Sequence, residues 1–244
     1  MHSLLTTIAD LLSPRFCSVC GHRLLAGEKG LCLNCLMELR LSPYCNGEAG
    51  NALERLFWQG LPIERAAALM VYDTNSNQRK LVLDMKFHNM PKTGFFIGQI
   101  MARQLMGTDF FVGVDMIVPV PIPATRMLRR GYNQSEQLAR GISSITHIPI
   151  DNRSVRRKNY KTHQARLSIA ERENNVKGSF YLAKPQRLEG KHILMVDDVI
   201  TTVRTLREMG REIATVPNTR LSVLALAVSK NLLRNVMAIN PQDL

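Results

Sequence analysis

Residues 193–205 read Ile-Leu-Met-Val-Asp-Asp-Val-Ile-Thr-Thr-Val-Arg-Thr: an apolar run, two adjacent carboxylates, a hydroxyl-rich turn and then a helical pattern. A buried strand that ends in acids and opens onto a helix places them at the carboxyl edge of a sheet. There the free N–H groups and positive dipole end of a helix attract anions. Thr201, Thr202 and Thr205 add hydroxyl donors. Carboxylates are out of place beside a bare phosphate, but Asp197 and Asp198 suit a sugar phosphate. They would accept hydrogen bonds from vicinal ribose hydroxyls or hold Mg2+. The segment reads as a grip for ribose 5-phosphate, against the plainer alternative that Asp198 and the threonines only cap and charge a helix start. Neither a Gly-x4-Gly-Lys-Ser/Thr loop nor a Gly-x-Gly-x-x-Gly turn occurs, which removes the main support for P-loop and dinucleotide readings.

A second constellation lies near the N-terminus. All five cysteines fall within the first 45 residues, four of them as Cys17-x2-Cys20 and Cys32-x2-Cys35 with eleven residues between the pairs. That spacing fits a four-thiolate structural zinc site, and Gly21 after Cys20 gives the first turn its backbone freedom. Two disulfides or a redox Cys-x-x-Cys are the competing readings; a reducing compartment disfavours the first, and a single motif would serve the second. Cys45 is left over as a free thiol or a substitute ligand. A closed four-thiolate site supplies folding energy to a segment too small for its own core.

The elements that must position these groups follow from the apolar pattern. The chain has 244 residues, 45% of them hydrophobic and 21% charged, enough for one ordinary domain plus a small module. No apolar run reaches membrane-spanning length. Leu4, Leu5, Ile8, Leu11 and Leu12 predict a short amphipathic helix without the features of a cleaved signal, which points to the cytoplasm. Strands are predicted at 66–72, 116–120, 193–196 and 221–228, and helices at 77–87, 95–106, 134–144 and from about 205. Continuous apolar strands alternating with amphipathic helices give an α/β fold, a parallel sheet covered by helices on both faces. A turn-rich break near residue 50 precedes Leu53, Leu56, Phe57 and Trp58, whose helical spacing would dock the module. The net charge of +12 favours polyanionic partners. Eleven Lys or Arg against three acids lie between Arg126 and Arg172, which reads as a phosphate-facing segment or a solvated basic face.

Several further residues carry a family resemblance: Val118-Pro119-Val120-Pro121-Ile122, Arg126, Arg130-Gly131-Tyr132-Asn133-Gln134, Thr162-x-Gln164, Arg172 and Asn175. With the strand–acid–threonine motif and the four cysteines, they resemble the ComF family almost from end to end. The resemblance implies a type I phosphoribosyltransferase-like parallel sheet flanked by helices, with a zinc-ribbon-like module at the N-terminus. The implied organisation is a zinc module over 1–50, a docking linker over 51–60, a phosphoribosyltransferase-like domain over 61–231 and a tail over 232–244. The implied ligand is phosphoribosyl pyrophosphate (PRPP) with Mg2+, held by Asp197, Asp198 and the turn Thr201, Thr202, Val203, Arg204 and Thr205. Val118, Pro119 and Val120 would lead into a pyrophosphate loop with Arg126 and Arg130. Residues 156–172 would be a closing loop contributing Arg156, Arg157, Lys158, Thr162 and Gln164, and Lys86 resembles a family position near the site.

Where the family pattern has glycine, this chain has Val203, a β-branched residue that resists positive φ and would crowd an approaching phosphate. Two functions follow. One is an enzyme transferring phosphoribose to an unidentified acceptor, linked to DNA uptake and its machinery. The other is a non-catalytic protein that binds single-stranded DNA, its phosphates on the basic segment and its bases on Tyr132 and Tyr160.

Overall fold

A computed structural model describes residues 14–87, 90–158 and 178–238 of the chain. In chain order come α1 (Leu33–Met37), α2 (Ala52–Trp58), β1 (Arg65–Tyr72), α3 (Arg79–Phe87), α4 (Pro91–Leu105), β2 (Met116–Pro119), α5 (Ala124–Arg130) and α6 (Gln134–Thr146). There follow β3 (Val155–Arg157), β4 (Phe180–Leu182), β5 (His192–Ile200), α7 (Arg204–Ile213), β6 (Arg220–Ser229) and α8 (Lys230–Ala238). The long strands form one parallel sheet in the order β1-β6-β5-β2, and β3 and β4 make a separate antiparallel pair.

The apolar runs dictate this arrangement, because a strand buried on both faces has no polar side to show to water. Successive residues of β5 alternate between two layers. Leu194 and Val196 pack with α3, α4, α6 and the cysteine module, whereas Ile193 and Met195 pack with α2, α7 and α8. Both edges of the sheet are covered. Along β1, Ser42 N–H donates to Leu69 O (2.9 Å), Val71 N–H to Arg40 O (3.0 Å) and Ala68 N–H to Tyr44 O (3.3 Å). The exit of the cysteine module thus acts as a strip that satisfies an edge otherwise open to foreign strands. On β2, Ile117 N–H donates to Pro149 O and Asp151 N–H to Ile117 O.

Helices α4 and α6 touch backbone to backbone. A Cβ on Gly98 would run into the Leu138 carbonyl, and one on Gly141 into the Phe95 carbonyl. Gly141→Ala is expected to destabilise the protein by about 1–3 kcal/mol through overpacking. Urea denaturation reads this directly, and an unchanged midpoint would contradict the close approach.

The predicted helices and strands appear, most of them with longer ends, whereas α3 begins two residues late and β2 stops one residue early. Pro91 occupies the first turn of α4, where its missing N–H is harmless, so that helix begins four residues early. Strand β5 runs on to Ile200, because β6 continues the ladder past the acids with Asp197 opposite Ala225 and Val199 opposite Ala227. The acid pair is therefore part of the strand and does not follow it. The predicted N-terminal helix over the first twelve residues, and Tyr160, Thr162, Gln164, Arg172 and Asn175, lie outside the described residues.

Candidate functional site

The acid pair stands at the carboxyl end of β5, beyond the last residue that β2 pairs, Pro119 opposite Val196. Asp197 Oδ1 accepts from Ser135 Oγ (3.2 Å) and from the Asp198 N–H (2.8 Å). Asp198 Oδ1 accepts from the Val199 N–H (2.7 Å), and its Oδ2 lies 3.2 Å from Lys86 Nζ. Burial, reinforced by the neighbouring Asp198 charge, pushes the Asp197 carboxyl up to about 7. Proton affinity near neutrality marks a carboxylate poised to exchange its proton for another partner.

Lys86 reaches the pair from the last turn of α3, and the segment before α6 holds it there. Tyr132 Oη and Gln134 Nε2 both donate to the carbonyl of Met85. Asn133 caps α6 by accepting the Ser135 N–H and ties the segment to the sheet by donating to Val120 O (3.0 Å). Burial raises the Tyr132 hydroxyl to about 12. That burial overturns the expectation that Tyr132 stacks on bases: it is 8% exposed and its hydroxyl is engaged. Ser135 is a site residue that the sequence pattern does not reveal, and Gln134 appears in that pattern only within the family motif, without a site role. The available signal was a run of polar residues, Asn133-Gln134-Ser135, at the start of an amphipathic helix, where they are buried.

Arg130 donates to Gln134 Oε1 (2.8 Å), and its guanidinium lies 5.5 Å from the Phe87 ring, with that of Arg129 at 5.9 Å. Burial lowers the Arg130 pKa, helped by Arg126 and Arg129, while Asp198 works in the opposite direction. Helix α5, which carries these arginines, has no buried residue, and Arg126 is exposed. Val118, Pro119 and Val120 are buried in the sheet, so they position the following loop and do not present side chains to it.

Thr201 and Thr202 are exposed, Arg204 is exposed, and Val203 and Thr205 are half-buried. The N-cap residue of α7, Val203, makes no side-chain capping hydrogen bond. Val203 sits at φ −72° and ψ −3° and packs against the layer of α7, so the expected conflict with positive φ does not arise. Val203→Gly would relieve no backbone strain and would remove an apolar side chain packed beside α7, so it is expected to lower stability by about 0.5–1 kcal/mol, read by urea denaturation. A gain in stability would contradict this. Arg156 and Lys158 are exposed, and the Arg157 guanidinium lies 5.1 Å from the Phe180 ring, on the strand pair packed beside α7.

The four cysteines converge. The sulfurs of Cys17, Cys20, Cys32 and Cys35 all lie within 4.8 Å of one another, with Cys20 and Cys32 3.7 Å apart. Zn–S bonds of about 2.3 Å in a tetrahedron require sulfurs about 3.8 Å apart, so the donor set fits zinc. Gly21 turns the first pair at φ +75°, and Cys32 precedes α1. Glu28 stitches the two halves by accepting the Leu25 (2.7 Å) and Leu33 (2.8 Å) N–H groups. Cys45 is buried elsewhere, against Leu69, Met101 and Leu105.

No family model matches the sequence. The chain is 30% identical over 206 residues to competence protein F of Haemophilus influenzae, a match covering 80% of this chain and 89% of that protein. It is 28% identical over 211 residues to DNA utilization protein YhgH of Escherichia coli strain K12, covering 82% and 91%. Among solved structures it resembles glutamine PRPP amidotransferase from B. subtilis (TM-score 0.42, 19% identity), matching 59% of this chain but only 30% of that one. It also resembles a hypoxanthine phosphoribosyltransferase from Staphylococcus aureus (TM-score 0.36, 17% identity, 65% and 74% coverage). With a four-cysteine module on a parallel sheet and a relative of this similarity matched over most of both chains, the protein belongs to the ComF family.

Proposed function

We propose that the carboxyl edge of the sheet binds PRPP with Mg2+ and transfers its phosphoribosyl group to an acceptor. The observation that carries this reading is the convergence of Asp197, Asp198, Lys86 and Ser135 beside the start of α7. The 5-phosphate would lie against the N–H groups and hydroxyls of the 201–205 turn, where the N-cap residue Val203 supplies no side-chain cap. Asp197 and Asp198 would accept hydrogen bonds from the two ribose hydroxyls. Two carboxylates also match how Mg2+ is usually held, by one or two acids together with substrate phosphates, and the ion would neutralise diphosphate charge there. Lys86, Arg126 and Arg130 give the edge a cationic surplus suited to a departing polyanion. A nucleophile on the acceptor would form a bond to C1 of the ribose as the bond from C1 to the pyrophosphate oxygen breaks. Pyrophosphate leaves with the electron pair. The exposed Phe87 ring beside Lys86 supports a planar acceptor.

In this reading zinc is structural, the protein works in the cytoplasm, and the names of its relatives support a role in DNA utilization or competence. Among the described residues no helix is long and apolar enough to cross a membrane. Calorimetric titration with PRPP and Mg2+, followed by a pyrophosphate-release assay over nucleobase acceptors, tests the proposal. Saturable heat and acceptor-dependent release are expected. Heat without release would reduce the function to binding, and no heat would reject the site.

A further inference from the structure

Two recesses that include neither carboxylate of the pair lie side by side along the outer face of α4. One, of about 930 Å3, opens between the cysteine module and α4 and is floored by Phe16, Leu24, Met90, Phe95 and Phe96. The other, of about 430 Å3, is bounded by Leu36, Met37, Leu41, Leu69, Phe96 and Ile100. Phe96 belongs to both, so they form one apolar trough, with α4 giving it a length of about 22 Å. Five of the twelve large exposed apolar side chains among the described residues belong to residues 14–45, and three of them, Phe16, Met37 and Leu41, border this trough. Met37 is 78% exposed. Apolar surface gathered in one place, and not scattered, marks an interaction face.

Charge selects the partner. The ionisable residues lining the trough are Arg15, Lys29, Lys92, Arg103 and Arg140, with no carboxylate among the described lining residues. Arg140 is held by Glu136 (2.8 Å), and Arg15 donates to the Glu28 carbonyl, which keeps both at the rim. Bases of a nucleic acid stack on aromatic rings, and the Phe16 end would serve them. The other end is Leu36, Met37, Leu41 and Ile100, which match aliphatic side chains, and exposed methionine adapts to such partners. An apolar groove one helix long with a cationic rim is the complement of an amphipathic helix with acidic flanks. Residues 1–13 are apolar enough to compete but contain a single acid, Asp10. We infer that the trough between the cysteine module and α4 is a docking site for an acidic amphipathic helix of a partner protein.

The test is fluorescence anisotropy on the zinc-loaded full chain. The probe is a labelled amphipathic peptide of about 18 residues with a leucine face and glutamate elsewhere, and its lysine counterpart is the control. The acidic peptide is expected to bind saturably, to weaken with salt, and to lose about tenfold in affinity with Met37→Asp and with the double change K92E/R103E. The lysine peptide is expected not to bind. All three substituted positions are exposed, and unchanged melting temperature and zinc content verify that the variants fold. Equal binding of both peptides, or no loss in either variant, would overturn the inference. So would displacement of the acidic peptide by oligo-dT or by a peptide of residues 1–13, which would give the trough to nucleic acid or to the protein's own N-terminus.

Discussion

Asp197→Asn is expected to raise the stability of the ligand-free protein at pH 8 while ending its hold on PRPP. Asp197 holds its proton more tightly in the folded chain, at about 7, than the ordinary 3.8 of an aspartic acid. A group raised in this way contributes stability below the unfolded value, and that contribution is lost as pH rises through the folded value. At pH 8 the folded protein therefore carries an ionised carboxylate that it disfavours. The full interval corresponds to ~4 kcal/mol, and solvent reaching the half-buried crevice reduces the expected gain to about 1–2 kcal/mol. Asparagine keeps an oxygen for the Ser135 hydroxyl but cannot serve Mg2+ or the ribose as a carboxylate does. Thermal melts at pH 5 and pH 8 read the first effect, which should grow with pH, and calorimetry reads the second. A variant that is less stable at pH 8, or that binds PRPP like the parent, would contradict the assignment. In the parent, PRPP affinity should fall as pH drops below 7, as protons compete for this carboxylate.

Removing zinc is expected to unfold residues 14–45 and to damage the sheet as well. Structural zinc in small modules is worth about 10–16 kcal/mol, more than this segment can replace from its own few buried side chains. Because residues 40–44 cover β1, their release leaves Ala68 and Val71 N–H groups and the Leu69 carbonyl without partners at an open edge. Metal analysis should find about one zinc per chain. After chelation, hydrogen exchange should accelerate first in 14–45 and then along β1, with aggregation following. A metal-free chain that keeps its module protected would refute a structural metal at these cysteines.

Much of this was legible from the chain itself, for physical reasons. Residues 193–196 of β5 and 223–228 of β6 are apolar without interruption, which only a doubly covered sheet can bury, and the cysteine spacing admits few geometries. The acids and threonines announced the carboxyl edge. Other features depend on contacts that no local pattern encodes. Strand β5 continues through Asp197 and Asp198, poor strand formers, because β6 offers a ladder. Helix α5 buries nothing and so shows no amphipathic period. The pairing of residues 40–44 with β1 is too short to read as a strand. Lys86 acquires its place from the hold that Tyr132 and Gln134 keep on Met85, across more than forty residues.

The most direct measurement is a crystal structure of the zinc-loaded protein soaked with PRPP and Mg2+. The expected result is the 5-phosphate on the N–H groups and hydroxyls of residues 201–205 and both ribose hydroxyls on Asp197 and Asp198. A ligand bound elsewhere, or an empty edge at saturating concentration, would contradict the proposed chemistry.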